Sequence, residues 1–115
     1  VVLMAAESAN ELGKTGEASG YLEMVRARAR SNNPDILPKV TSLDQTVLRD
    51  AIRHERRVEL GLESGRFYDL VRWGIASQVL HAAGKTGYQP KNALLPLPQD
   101  EIDKSKGVLV QNPDY

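Results

Sequence analysis

The sequence contains no cysteine, which excludes a disulfide framework, a thiolate nucleophile and a cysteine-based metal site. Its two histidines are too few to anchor a typical histidine-based metal site. No apolar run approaches the roughly 20 residues of a membrane-spanning helix. Because 15 basic and 15 acidic side chains cancel, no long-range field steers the chain toward nucleic acid or anionic lipid. Any binding must therefore come from shape and local contacts, and we expect no nucleic-acid partner.

The motifs of common enzyme classes are also missing. The sequence has no glycine-rich phosphate loop, no serine nucleophile elbow and no zinc-binding helix motif. We therefore predict no enzyme activity and no cofactor. The 115 residues suffice for one modest domain with a single core. Residues 1–7 resemble the inside of a helix, which indicates a fragment of a longer protein.

Residues 1–30 predict a helical hairpin. Gly13 is a natural stop for the first helix, and Thr15 can cap the second, where Leu22 and Val25 lie on an apolar face. The two helices are short and rich in small residues, so we expect them to pack antiparallel. Three arginines near the end of the second helix are interpreted as a solvated helix end: Arg26, Arg28 and Arg30.

The rest of the chain divides into a loop, a second hairpin and an irregular tail. Residues 31–41 form the loop, because Pro34 and Pro38 interrupt regular structure. Residues 42–83 hold a third helix, with Ser42 and Gln45 as a capping box, and a fourth helix capped by Ser64. Residues 84–115 are predicted to form an extended, proline-containing segment with a helical turn at residues 99–102. The predicted fold is therefore mainly all-α.

Residues 53–73, here called the signature segment, interleave charges of both signs with apolar residues across a turn with two glycines. Glu55 and Glu59 lie one helical turn apart, and paired carboxylates perform glycoside hydrolysis. Nearby arginines would lower the pKa of a carboxylate, whereas a general acid needs a raised pKa. We therefore favour a structural ion-pair clasp in which Glu55 or Glu59 binds Arg66 or Arg72, so that the third helix is tied to the fourth.

Other candidate sites in the sequence have structural interpretations that are favoured over functional ones. Phe67, Tyr68 and Trp73 could form an aromatic platform for a sugar ring, but core packing explains three aromatics on one helix better. His54 is a single imidazole in a charged helix with no second ligand nearby. No ligand-binding residue is predicted.

Four blocks of the sequence, in order, resemble the SusD/RagB family. The first pairs Leu3 and residues 5–11 with the Val-Arg-Ala-Arg-Ala run at residues 25–29. The second is the signature segment continued to Gly74. The third is Leu-Pro-Leu-Pro at residues 95–98, followed by Glu-Ile at 101–102, and the fourth is Gln-Asn-Pro-Asp-Tyr at residues 111–115. The signature residues of the clasp are Glu55, Arg56, Glu59, Arg66, Asp69, Arg72 and Trp73.

The resemblance departs from the family pattern at two places. Ser64 precedes Gly65 where the family commonly has glycine directly after the glutamate, and Ser105 or Lys106 stands where asparagine is common. Both departures concern only local turn geometry.

The resemblance implies a fold of tetratricopeptide-like antiparallel helix pairs. It further implies that the chain is the C-terminal part of a surface-exposed outer-membrane lipoprotein, anchored through an N-terminal cysteine outside this sequence. Such proteins capture oligosaccharides or other nutrients and deliver them to a TonB-dependent transporter. This segment would then be mainly scaffold, packed against the missing N-terminal part of the same chain.

A second hypothesis comes from the helical pattern alone. A free-standing module of helix pairs could bind a peptide along a groove, as stacked helical repeats do. The apolar start and the proline-rich tail favour the family interpretation over this interaction module.

Overall fold

The computed structural model describes all 115 residues and contains six α-helices, one short 3-10 helix and no β-strand. This confirms the all-α prediction. The helices are α1 (Val2–Glu11), α2 (Thr15–Arg30), α3 (Gln45–Glu59), α4 (Arg66–Arg72), α5 (Ala76–Ala82) and α6 (Gln99–Lys104), with the 3-10 helix at Pro90–Ala93. The chain forms two compact units, Val1–Ser64 and Gly65–Tyr115. None of the helices has the length and apolar character required to cross a membrane.

The first unit is a three-helix core formed by the apolar faces of α1, α2 and α3. Ala6 of α1 and Ala18 of α2 are fully buried in this core, and small residues of this kind allow two helices to pack closely. The largest fully buried apolar side chains are Leu22 of α2 and Leu48 and Ile52 of α3. The buried apolar cluster consists of Leu3, Ala6, Ala9, Ala18, Leu22, Val25, Leu48 and Ile52. The tetratricopeptide-like arrangement of the pairs stays a prediction.

Three helices end in the same motif, with a glycine in the left-handed region just past the last turn. Gly13, Gly74 and Gly84 have φ values of 74°, 69° and 76°. After α4, for example, the Gly74 N–H donates to the Val71 carbonyl and the Ile75 N–H to the Leu70 carbonyl, both at 3.0 Å. This is a Schellman motif, which pairs carbonyls that the helix end leaves free. It confirms the predicted stops at Gly13 and Gly84.

The fourth helix differs from the sequence prediction. The apolar pattern predicts one helix to about residue 83, but α4 ends at Arg72, and α5 begins at Ala76. The cause is Gly74, which adopts a left-handed conformation that favours glycine and cannot continue a right-handed helix. The 42–83 region therefore contains three helices rather than a hairpin of two.

The helix starts also differ in detail from the predicted caps. Asp44, rather than Ser42, caps α3, and its Oδ1 accepts hydrogen bonds from the N–H groups of Thr46 and Val47, both at 2.9 Å. Thr15 is the first residue of α2 and forms no side-chain cap. Ser64 precedes the α4 cap residue Gly65 and lies at φ 58°. The sequence predicts these boundaries within a few residues, but it does not identify the capping side chains.

We expect Gly74→Ala to lower the free energy of unfolding of the second unit by about 1 to 2 kcal/mol, the cost of placing a Cβ in the left-handed region. Gly87→Ala is the matched control. A Cβ added at either glycine would have no other atom within 4 Å, and only Gly74 has a positive φ. Amide exchange of α4 and α5 measures the difference, and equal effects of the two substitutions would contradict the assignment of strain to φ.

Candidate ion-pair site of the signature segment

The most buried charge of the signature segment is the Glu55 carboxylate of α3, whose residue is 3% exposed. Its Oε2 accepts a hydrogen bond from Arg26 Nη1 of α2 at 2.6 Å. The Arg26 side chain is 12% exposed and also donates from Nη2 to the Pro38 carbonyl at 2.9 Å. One guanidinium thus joins α2, α3 and the loop between them, which is the geometry that suits a planar arginine.

The second carboxylate of the pair, Glu59, accepts a hydrogen bond from Arg28, which also lies on α2. Arg28 is far more exposed than Arg26, so water screens this second bridge. The sequence predicts Arg66 or Arg72 as partners of these two glutamates. The structure instead gives them the arginines of α2, and whether the signature segment also ties the third helix to the fourth stays a prediction.

These contacts change the interpretation of the three arginines at the end of α2. The sequence predicts a solvated helix end, but the side chains of Arg26 and Arg30 are largely buried and bound to carboxylates. Arg30 binds Glu23 through Nη1 at 2.9 Å and donates from Nη2 to the Leu37 carbonyl at 2.6 Å. The α2 arginines therefore supply donors to carbonyls of the irregular loop, which has no regular partners of its own.

On its other side, α3 presents arginines to carboxylates of α1. Arg49 Nε and Nη2 donate to the two carboxylate oxygens of Glu11, both at 2.7 Å, in a fork-like pair. The signature residue Arg56 lies with Nε 3.8 Å from Glu7 Oε2. Helix α3 thus pairs with carboxylates of α1 through its arginines and accepts hydrogen bonds from arginines of α2 through its glutamates. Its apolar residues Leu48 and Ile52 belong to the buried cluster that the three helices share.

The pairs at Glu11 and Glu23 predict a loss of stability in acid. The hydrogen bond from Arg49 is the largest cause that lowers the pKa of Glu11, and the bond from Arg30 does the same for the pKa of Glu23. Because each pKa is lower in the folded state than the ordinary glutamate value of about 4.3, the unfolded chain binds more protons than the folded chain at pH values around and between these two pKa values. Their stabilisation is therefore present above about pH 4.3 and is lost as the pH falls through the lower, folded pKa.

Urea unfolding between about pH 2.5 and 7 measures this dependence. We expect Glu11→Gln and Glu23→Gln each to flatten the acid limb of the stability curve. Glu17→Gln is the control, since Glu17 forms only an exposed bridge 3.7 Å from Lys14. An acid limb unchanged in all three variants would mean that these pairs add no pH-dependent stability.

A cleft of about 230 Å³ opens beside two signature residues, Arg56 and Glu59. Arg28 of α2 also lines it, and its apolar walls come from the start of α1, from Val25 of α2 and from Leu60. Arg28 and Glu59 are bound to each other and Arg56 lies beside Glu7, so paired charges as well as apolar side chains border this cleft. The structure contains no group of three or more histidine, cysteine, aspartate or glutamate residues placed to hold a metal ion.

The sequence model of the SusD family matches residues 1–115, the whole of this chain. The chain belongs to the SusD family. The SusD-like protein P2 of Formosa agariphila is 34% identical over 125 residues, which cover 100% of this chain and 24% of that protein. The SusD-like protein P25 of the same organism is 38% identical over 108 residues, which cover 89% of this chain and 20% of that protein. No solved structure matches the chain.

The chain therefore spans about a quarter or less of the length of these SusD-like relatives. Within that span, the C-terminal half of the signature segment forms a cation–aromatic group on α4. The guanidinium carbons of Arg66 and Arg72 lie 5.7 Å and 5.0 Å from the centre of the Trp73 ring. Arg72 also binds Asp69 Oδ1 through Nη2 at 2.9 Å. These SusD-family signature residues thus contact one another.

The aromatic side chains only partly follow the core packing expected of them. The Phe67 ring forms T-shaped pairs with the rings of Tyr68 and Tyr88, at ring-centre distances of 5.9 Å and 6.2 Å. Tyr68, however, is 67% exposed, while Trp73 is partly covered by the two arginines. Whether the three residues form one platform stays a prediction. His54 is exposed on α3.

The two SusD-like blocks of the tail bind each other. The side-chain amide of Gln111 pairs with the backbone of Leu97. The Leu97 N–H donates to Gln111 Oε1 at 2.8 Å, and Gln111 Nε2 donates to the Leu97 carbonyl at 2.9 Å. Asn112 Nδ2 donates to the Leu95 carbonyl at 2.6 Å, and the Tyr115 hydroxyl to the Leu94 carbonyl at 2.9 Å. The sequence identifies both blocks but not their contact. The only sequence signal of this contact is that both blocks occur in the same chain.

Proposed function

We propose that this chain is part of a surface-exposed outer-membrane lipoprotein that captures oligosaccharides and delivers them to a TonB-dependent transporter. The observation that carries the proposal is the match of the SusD family to every residue of the chain. Within such a protein, this segment acts mainly as scaffold. It works by binding and support rather than by catalysis.

The scaffold role is supported by the way the signature charges are used. Glu55 and Glu59 are each bound by an arginine of α2, and Arg56 lies beside Glu7. Each of the two carboxylates is thus engaged by a guanidinium, as expected of a structural ion pair. These charges join α1, α2 and α3 to one another.

The partner of the cleft beside Arg56 and Glu59 is, in this proposal, another part of the same protein. The SusD-like relatives are about four or five times as long as the aligned region, so most of their residues lie outside it. The cleft has a volume of about 230 Å³, and its apolar side, formed by the start of α1, Val25 and Leu60, suits one or two apolar side chains of a packed segment. Its three charged side chains, Arg28, Arg56 and Glu59, are held in ion pairs with one another or with Glu7.

Oligosaccharide binding by the full-length protein tests the proposal. We expect the full-length protein to bind a subset of oligosaccharides on a glycan array, and the isolated residues 1–115 to bind none. In the full-length protein, Glu59→Gln is expected to leave glycan binding unchanged. A full-length protein that bound no glycan, but captured extended peptides instead, would favour the helix-repeat interaction module.

Delivery and location need separate experiments in cells. We expect an antibody or protease added to intact cells to reach the protein, and we expect its deletion to reduce uptake of a fluorescent oligosaccharide that the array identifies. A TonB-dependent transporter should co-purify with the tagged full-length protein from detergent. Uptake that is unaffected by the deletion would contradict delivery while leaving capture in place.

A further inference from the structure

The C-terminal tail contains a short extended segment whose backbone is bound almost entirely by side chains from the last five residues. We call residues 94–97 the strip and residues 111–115 the strap. The strap supplies a donor to the carbonyls of Leu94, Leu95 and Leu97, and an acceptor to the Leu97 N–H. In the opposite direction, Lys91 Nζ donates to the strap carbonyl of Asp114 at 2.9 Å.

The strip needs such donors because of its sequence. Pro96 and the following Pro98 have no N–H and hold the backbone extended, so the strip forms neither helix nor sheet. Leu94 has an extended conformation with φ −107° and ψ 148°. Carbonyls of an extended segment without a partner strand must be paired by other groups or by water. The side-chain amides of Gln111 and Asn112 take the place of a neighbouring strand.

The strap itself buries little apolar surface. No residue from 77 to 115 belongs to the fully buried class, and Val108 and Val110, just before the strap, are 82% and 79% exposed. Lys106 and Gly107 follow α6 with φ values of 52° and 88° and form a turn ahead of the strap. A segment held by hydrogen bonds, with few apolar contacts, opens at lower free energy than a packed helix.

We propose that the strap closes over the strip and opens as one unit while α4 and α5 stay folded. The unit behaviour follows from the way the contacts are linked. Tyr115 accepts a bond from Asn92 Nδ2 at 3.3 Å, donates to the Leu94 carbonyl, and has its ring 5.2 Å from Lys91 Nζ. Gln111 fixes the other end of the strap at Leu97. Loss of either end leaves the remaining contacts on a short, exposed segment.

A second consequence concerns sequence tolerance. All four hydrogen bonds between the strap and the strip are made to backbone atoms of the strip and none to its side chains. The exposed side chains of Leu94 and Leu95 are therefore open to substitution, whereas Gln111, Asn112 and Tyr115 are not. We expect Leu95→Thr to leave the strap closed, because the Leu95 carbonyl is unchanged.

Amide hydrogen exchange of the complete chain tests the proposal. Tyr115→Phe removes one hydroxyl at the far end of the strap, and we expect it to speed exchange of the Leu97 N–H about fivefold, the worth of one typical hydrogen bond. Gln111→Ala should speed the same amide by more, since it removes both bonds to Leu97. In both variants the amides of α4 and α5 should keep their protection.

The matched controls are Tyr68→Phe and Gln78→Ala, the same two substitutions at exposed positions of α4 and α5. They should leave Leu97 exchange unchanged. Three results would overturn the proposal: an unchanged Leu97 amide in Tyr115→Phe, equal effects of a control, or loss of protection in α4 and α5 together with Leu97. The last would mean that the tail and these helices open only as a whole.

Discussion

Glu55→Ala is expected to lower the free energy of unfolding by about 3–5 kcal/mol, because it leaves the Arg26 guanidinium in a site that is largely closed to water. Arg26 would keep its bond to the Pro38 carbonyl but lose its bond to a carboxylate. A buried charge without a counter-charge costs more than the pair itself contributes. Urea unfolding of the chain, followed by helical circular dichroism, measures the loss.

Glu59→Ala provides the control, because it makes the same change one helical turn further along α3. Its partner Arg28 has a side chain that is 69% exposed, so we expect a loss of at most about 1 kcal/mol. The double variant Arg26→Met and Glu55→Met removes both charges. We expect it to be more stable than the single variant Arg26→Met or the single variant Glu55→Met. Equal losses for Glu55→Ala and Glu59→Ala would show that burial does not set the strength of these bridges.

The helices are predictable from the sequence because their cause is local. Apolar residues at three- and four-residue spacing, such as Leu48 and Ile52, identify the face of α3 that is buried. Glycines identify two of the three Schellman ends. The sequence analysis does not predict the break at Gly74, because the apolar pattern continues on both sides of this glycine and indicates one continuous helix. A glycine inside a helical pattern is the available signal for the break.

The ion pairs are not predictable in the same way. The dense, balanced set of charges correctly suggests pairing, but it does not show that the partners lie far apart in the chain. In the structure, Glu55 and Arg26 are 29 residues apart, and Glu11 and Arg49 are 38 apart. A long charged side chain can reach many oppositely charged groups, and the packing of the three helices determines which of them lies within hydrogen-bond distance. In the sequence, the arginines of α2 resemble a solvated helix end, because nothing there shows that α3 packs beside them.

Leu48→Ala is expected to lower the free energy of unfolding by about 2–5 kcal/mol, since it removes most of a side chain that is 0% exposed. Leu48 lies in the apolar cluster to which all three helices of the first unit contribute, so no single helix can move to fill the space. Urea unfolding gives the loss. The slope with urea concentration should stay unchanged if the variant still unfolds as the wild type does.

Val47→Ala tests whether this loss comes from the core and not from the helix itself. Val47 precedes Leu48 on α3, is 48% exposed, and loses only its two methyl groups on substitution. Alanine favours helix more than valine does, so we expect a change of at most about 0.5 kcal/mol, in either direction. Leu48→Met, which keeps the volume, should cost less than about 1.5 kcal/mol. If Val47→Ala were as damaging as Leu48→Ala, the loss would not depend on burial in the apolar cluster, and the three-helix core would not be the main support of α3.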